Sequence, residues 1–289
     1  PDVFQHDDHG TEVLSVIAGE IPDAFTGGAL EATFQLFVTE EVPSEYRIEE
    51  YNWLFAAERA DSAGADVINA SLGYYDFDLP EHQYSKAQMD GKTAVVTRAA
   101  QLAANRGIVV VCSAGNEGNV ASWRIITAPA DAEGVIAVAN VNSNGVVSPS
   151  SSIGPAADGR IKPDLAALGS SVRVYKGSGS AGTSSGTSLS SPLIASLVAG
   201  ILQAHPNLTR EEIIEALKIT ASHAKNPDVS IGYGIPNFKA VAQGDPIASP
   251  ESGFLNLVYV EDAADIVLAV DQEVGPPRTL NVSDGHPIV

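Results

Sequence analysis

Residues 107–118 read Gly-Ile-Val-Val-Val-Cys-Ser-Ala-Gly-Asn-Glu-Gly, an apolar run of strand length that empties into an asparagine bracketed by glycines. Apolar residues at consecutive rather than alternate positions predict a strand covered on both faces, as in a parallel sheet. Similar runs occur at 33–38, 66–70, 134–138 and 173–175, and helical periodicity fills 11–18, 44–61, 92–105, 190–204 and 210–221. This alternation predicts an α/β fold over residues 1–243, with three layers and a mostly parallel sheet flanked by helices. Thr209-Arg210-Glu211-Glu212 reads as a capping box opening the last of those helices. From 244 to 289 acidic turns separate short runs at 254–260, 266–270 and 279–282. They predict antiparallel β, either a short C-terminal β extension packed on the main domain or the start of a further β module.

The chain has 289 residues, enough for one large domain or two small ones and for burying roughly 75% of its unfolded surface. Sixteen Lys and Arg stand against 36 Asp and Glu, a formal charge of -20, and no basic stripe with interleaved aromatics is present. Nucleic acid is therefore excluded as a partner. Such acidity suits an exported protein, secreted or held at the cell surface. The single cysteine, Cys112, excludes an internal disulfide and a cysteine-rich zinc site, and its apolar surroundings mark it as a buried structural thiol. The apolar stretch 193–202 falls short of the ~20 residues that cross a bilayer, so no membrane span is expected. Pro1 is not an initiator and carries no charged-then-apolar leader behind it, so the chain is read as lacking an upstream part.

Three segments carry chemistry. His9-Gly10-Thr11-Glu12-Val13 opens a helix and can hold a ring at a cleft edge. Ala114-Gly115-Asn116 lies at the carboxyl end of a strand, where ligands sit in open α/β sheets, and the Asn116 amide can donate to a developing oxyanion. Gly186-Thr187-Ser188-Leu189-Ser190-Ser191-Pro192 leads into an apolar helix. Pro192 belongs near the first turn of that helix, so Ser188 sits close to the helix N-terminus, where backbone N–H groups and the helix dipole stabilise negative charge. A rival nucleophile is Ser184, because Gly182-Thr183-Ser184-Ser185-Gly186 fits the G-x-S-x-G elbow, but no apolar strand precedes it and no helix follows at once.

In this order the three segments resemble the subtilisin-like serine peptidases, the subtilases, over about residues 9–243. Val67-Ile68-Asn69-Ala70-Ser71-Leu72-Gly73, Ala128-Pro129-Ala130, Ser150-Ser151-Ser152-Ile153-Gly154-Pro155, Lys162-Pro163-Asp164-Leu165 and Gly232-Tyr233-Gly234 add to the resemblance. It implies peptide-bond hydrolysis of protein or peptide substrates through an acyl-enzyme, with Ser188 as nucleophile, His9 as general base and then acid, and Asn116 as oxyanion donor. It also implies that Ser71, Leu72, Gly73, Ala114 and Gly115 line the substrate cleft, Leu72 as an apolar wall. No cofactor is required for that chemistry. The acidic loops could hold calcium as a structural ion, although no ligand spacing is legible.

The resemblance further calls for an aspartate upstream of the histidine, in an Asp-Ser/Thr-Gly type motif after an apolar strand. Asp2, Asp7 and Asp8 have neither that motif nor that strand, and His6-Asp7-Asp8-His9 lacks the third remote ligand of a metal site. The expectation is an N-terminal segment, in the same or a nicked partner chain, that brings the aspartate and a sheet strand. A catalytically silent binding protein of the same fold is the alternative. An esterase of the α/β-hydrolase type would rest on Ser184 alone, and His9 preceding Ser188 opposes it.

Overall fold

The computed structural model describes residues 8–21, 25–177 and 179–242, together with the backbone of 257–259, 266–268 and 279–283. In chain order the elements are α1 (His9–Ala18), β1 (Glu20–Ile21), β2 (Phe25–Thr26), β3 (Thr33–Phe37), α2 (Ile48–Ser62), β4 (Ala65–Ala70), α3 (Val95–Asn105), β5 (Val109–Ser113) and β6 (Ile136–Val141). There follow β7 (Leu165–Leu168), β8 (Val172–Lys176), β9 (Ser180–Ser184), α4 (Thr187–Ala204), α5 (Arg210–Thr220), α6 (Phe238–Ala242), β10 (Leu257–Tyr259), β11 (Ile266–Leu268) and β12 (Thr279–Ser283). A six-stranded parallel sheet runs in the order β3-β12-β4-β5-β6-β7.

Strand geometry sends successive side chains to opposite faces, and β4, β5 and β6 carry apolar residues on both. Val67, Val109, Val111, Ile136 and Val138 pack with Val13 and Ile17 of α1, Ile194, Val198 and Ile201 of α4, and Ile213 and Leu217 of α5. Ile68, Ala70, Val110, Cys112 and Ala137 pack on the other side with Trp53 and Ala60 of α2 and Ala99 and Ala103 of α3. That is the three-layer α/β architecture which consecutive apolar residues predict. Cys112 is buried, and burial pushes its thiol up to about 12, as an inert structural side chain requires. The helix α4 is long and apolar enough to cross a bilayer by length and composition, yet most of it lies inside the fold against the sheet.

The helices differ from the sequence reading at their starts for a local reason. Residues 44–47 do not join α2, because the Glu45 N–H donates to Asp78 (3.2 Å) and the Tyr46 N–H to Glu49 (3.3 Å). Similarly, the Asp90 carboxylate accepts from the Lys92 and Thr93 N–H groups and delays α3 to Val95. The capping box of α5 forms as read, Thr209 N–H reaching Glu212 Oε2 at 2.8 Å. The run at 173–175 is a strand, but it pairs with β9 in an antiparallel hairpin outside the main sheet. β10 and β11 pair antiparallel as expected, whereas 279–283 pairs parallel, between β3 and β4. Alternation alone does not distinguish an edge hairpin from an inner strand of so short a run.

The β6–β7 edge is fixed by a buried ionic cluster. Asp164 Oδ2 accepts from Lys162 Nζ at 2.6 Å and from the Ala137 N–H at 2.9 Å, and Lys218 Nζ lies 2.9 Å from Asp164 Oδ1. Burial alone would raise the Asp164 carboxyl, but Lys162 and Lys218 hold it below the usual carboxylate value of 3.8. Its stabilisation is therefore present above pH 3.8 and is lost as the pH falls below it. Replacing Asp164 by Ala strands two cations in the fold. Urea unfolding at pH 7 is expected to register a loss of about 3–5 kcal/mol, and a loss under 1 kcal/mol would show the cluster to be energetically idle.

Candidate functional site

The carboxyl ends of β4 and β5 and the N-terminus of α4 converge, and the residues between them are tied by hydrogen bonds. Pro192 has no N–H, so the Ser188 carbonyl loses its partner one turn along the helix. The Ser71 hydroxyl takes that place, donating to Ser188 O at 2.9 Å. Ser71 Oγ in turn accepts from Asn69 Nδ2 at 3.0 Å and lies 2.8 Å from Ser191 Oγ, which satisfies its one donor and two acceptor positions. The Ser188 hydroxyl donates to Ser71 O at 3.3 Å, so residues 71 and 188 are joined twice.

Asn116 is exposed at the end of β5, but its carboxamide is fixed. Its Oδ1 accepts from the Thr187 N–H at 2.9 Å and from Thr187 Oγ1 at 3.1 Å. A backbone N–H can only donate, so the oxygen is identified and Nδ2 is the atom left to face outward. Thr187 Oγ1 also accepts from the Gly115 N–H at 3.3 Å. Two glycines frame this approach. Gly186 has φ +156°, which side chains rarely adopt, although a Cβ there would meet the Asn116 amide atoms and the Ser188 N–H only in ordinary contact. Gly115 has φ +108°, and a Cβ there would press on Ser152 Oγ and Thr127.

The other sequence candidates fall as follows. Ser113 Oγ donates to the Leu72 carbonyl at 3.1 Å, holding 71–73 beside 113–115. Leu72 is half-buried against the α2–α3 side of the core, Gly73 faces Thr127, and Ala114 is fully buried. Glu117 accepts from the Tyr75 hydroxyl at 2.8 Å, and Tyr75 stacks on Trp123. His9 is the first residue of α1, which packs along α4; Val16 meets Leu189, the neighbour of Ser188, and the helix also touches β12. The Asp8 carboxylate lies against Gly177 of the β8–β9 turn. Asp2, His6 and Asp7 lie outside the described residues. Ser184 ends an exposed hairpin strand two residues short of the α4 cap and is not at the convergence. Sequence reasoning passed over Thr187, whose signal is its place directly before Ser188, and the Ser71–Ser191 link, which the missing N–H of Pro192 implies.

Among the described residues the carboxylates that could hold a metal ion are Glu40, Glu45 and Glu49, with ligand oxygens within 4.8 Å of one another. An oxygen-only set suits a hard cation such as Ca²⁺. The Tyr74 hydroxyl donates to Glu40, and Glu49 accepts from the Glu41 N–H at 3.0 Å. A depression lined by Gln101, Asn105, Glu133 and Arg210 lies at the other end of the sheet, where β6 begins.

The description "Subtilase family" matches residues 2–235. Subtilisin NAT of Bacillus subtilis subsp. natto is 33% identical over 195 residues, which are 67% of this chain and 45% of that protein. Subtilisin amylosacchariticus of Bacillus subtilis subsp. amylosacchariticus is 31% identical over 81% of this chain and 56% of its own. The chain thus spans about half the length of these relatives. Among solved structures, the self-cleaved protease domain of PatA has TM-score 0.66 at 22% identity, over 81% of this chain and 82% of its own. MycP1 from Mycobacterium smegmatis also has TM-score 0.66 at 22% identity, over 88% of this chain and 74% of its own. These two are likenesses of fold.

Glu45 supplies a pH dependence. Burial, then the charges of Glu40, Glu49, Asp78 and Asp76, raise its carboxyl from 4.5 to about 8. Between those values the folded chain keeps a proton that the unfolded chain has released, so stability declines as the pH rises from 4.5 to about 8. In chelator-containing buffer the Glu45→Gln variant is expected to flatten this decline and to exceed the wild type in Tm above pH 8; parallel curves would show that Glu45 titrates normally.

Proposed function

The chain belongs to the subtilase family, and on that premise we propose that it is a serine endopeptidase whose nucleophile is Ser188, whose general base and acid is His9, and whose oxyanion donor is Asn116. The observation that carries the reading is the Thr187–Asn116 clamp: with Oδ1 held by Thr187, Nδ2 and the Ser188 N–H are two donors on the same side of Gly186, each within 4 Å of where its Cβ would stand. His9 removes the Ser188 proton as Oγ attacks the scissile carbonyl. The oxyanion that forms accepts from Asn116 Nδ2 and the Ser188 N–H at the start of α4, where the helix dipole adds to the attraction. Collapse leaves an acyl-enzyme and a protonated amine, and water reverses the sequence. Side chains supply every proton, so the scheme calls for no cofactor.

Ser71–Gly73 and Ser113–Asn116 form walls that are small or apolar, with Leu72 the largest. They favour a medium-to-large apolar side chain before the scissile bond. Glu117, anchored by Tyr75, can admit Lys or Arg at the rim. The acid-rich composition fits action outside the cytoplasm.

A fluorophosphonate label is expected to attach to Ser188, to be lost in Ser188→Ala and to persist in Ser184→Ala. Asn116→Ala should lower kcat by about 10²–10³ with little change in KM. Labelling that follows Ser184 would overturn the assignment, and a chain that neither labels nor cleaves peptides would be a silent binding protein of this fold.

A further inference from the structure

His9 and Ser188 stand on different helices, and the β8–β9 hairpin is bonded to both. β9 ends at Ser184, and the link from there to α4 is held by the residues that lead into β8: the Ser171 N–H donates to Ser185 Oγ at 2.8 Å and the Gly186 N–H to the Gly169 carbonyl at 2.8 Å. The other end of the hairpin reaches α1. There the Tyr175 N–H donates to Ser15 Oγ at 2.9 Å, Ser15 Oγ donates to the Glu12 carbonyl at 2.7 Å, and Lys176 Nζ pairs with the Glu12 carboxylate. The turn then passes so close to Asp8 that its carboxylate leaves no room for a Cβ on Gly177. Between the two ends, Val16 of α1, Val172 and Val174 of β8, and Leu189 beside Ser188 share a small apolar core.

His9 and Glu12 are three residues apart on α1 and lie on one face. Helical side chains lean toward the N-terminus, so the buried Glu12 carboxylate lies over the turn that His9 opens. Such an anion favours the protonated imidazole, and Lys176 is the cation that offsets it. Of the elements packed on α1, α4 and β12 carry no charged residue, Arg173 of β8 is exposed, and Asp8 adds a second anion.

Resting on the serine-peptidase reading, we propose that Lys176 and Glu12 are a positioning pair for His9. They clamp the hairpin to the first turn of α1, so that one strut sets the ring and the Ser188 hydroxyl against each other. Lys176 also keeps the Glu12 charge from holding the ring protonated, and it is the neutral ring that takes the Ser188 proton. Neither side chain touches the reacting atoms; both act through His9.

The test uses the full chain as wild type, Lys176→Gln, Lys176→Arg, Glu12→Gln and Arg173→Gln, with peptide kinetics across pH, fluorophosphonate labelling and thermal unfolding. Lys176→Gln leaves the Glu12 charge uncompensated, so the acid limb of kcat/KM should move to higher pH, by about 0.5–1 unit. Glu12→Gln leaves the ammonium alone and should move the limb to lower pH by about as much. Both should lose about 10- to 100-fold in kcat with KM within about twofold, since about 1 Å of misplacement costs up to 10²-fold. Lys176→Arg should restore most of the rate and the limb, and Arg173→Gln should match the wild type. A pair that only stabilises the fold would lower Tm in both variants without moving the limb, because a loss of stability carries no sign of charge. A limb unmoved in Lys176→Gln and Glu12→Gln would therefore overturn the inference, and so would a shift in the same direction in both. Should Lys176→Gln fail to fold, Glu12→Gln with wild-type kcat and an unmoved limb would overturn it alone. A wild type that does not label at Ser188 defeats the peptidase reading itself, whereas a labelled wild type with unmoved limbs in the variants defeats only this inference.

Discussion

The 2.9 Å hydrogen bond from Ser71 to the Ser188 carbonyl joins the sheet to the start of α4, and the geometry of the site follows from it. A helix that carries Pro192 in its second turn has one backbone carbonyl without its usual partner. Left unpaired in a buried place, that carbonyl would cost about 1–3 kcal/mol. Ser71 satisfies it only if the end of β4 and the first turn of α4 stay in register, and Asn69 and Ser191 hold Ser71 in turn. A residue commonly thought of as a helix breaker thus fixes which strand end the Ser188 hydroxyl faces. The Thr187–Asn116 clamp adds a second strand end, that of β5, to the same helix terminus. Both tethers draw on α4, whose apolar length is anchored under the sheet by Ile194, Val198 and Ile201.

Charge is handled in two opposite ways. Asp164 is buried but surrounded by Lys162, Lys218 and a backbone donor, so its negative form is the favoured one. Glu40, Glu45 and Glu49 are brought together with no cation among the causes acting on Glu45, so there the neutral form is favoured at one member. Desolvation acts in the same direction at both places; the difference lies in whether a positive side chain accompanies it. In a chain with 36 acids and 16 bases, two of the scarce cations, Lys162 and Lys218, accompany Asp164, whereas Glu45 keeps a proton instead.

The middle of the sheet was legible because β4, β5 and β6 are apolar at most positions, and the helix starts were not, because side-chain carboxylates compete for the first N–H groups. Asp90 and Glu49 end their respective loops by accepting backbone donors, which no count of apolar residues registers. β7, four residues of Leu and Ala, and β9, rich in Ser, Thr and Gly, carry too little periodicity to stand out. At the site, Ser188 and Asn116 could be found by motif, since a helix N-terminus and a strand end are both written in local sequence. Thr187 as a clamp could not, because its partner lies at residue 116 and the pairing is made only by the fold. The acidic cluster escaped for the same reason: Glu45 and Glu49 share a helical spacing, but Glu40 joins them through tertiary structure.

The reading of 279–282 failed in an instructive direction. Short alternating runs near a terminus suggest a hairpin, yet β12 lies between two strands that are early in the chain, β3 and β4. Until it arrives, the facing edges of those strands present unpaired N–H and C=O groups. Closing so long a loop is thermodynamically mild, since each doubling of loop length adds only about 0.6 kcal/mol, but it delays folding by making the central pairing non-local. A parallel sheet is indifferent to the direction from which such a strand is recruited, because any chain that pairs in this register must leave at the same edge. The order of elements along the chain can therefore change while the sheet edge set by β4, β5 and α4 does not, because that edge is held by hydrogen bonds between Ser71, Asn116 and the start of α4 and not by the order in which its strands arrive.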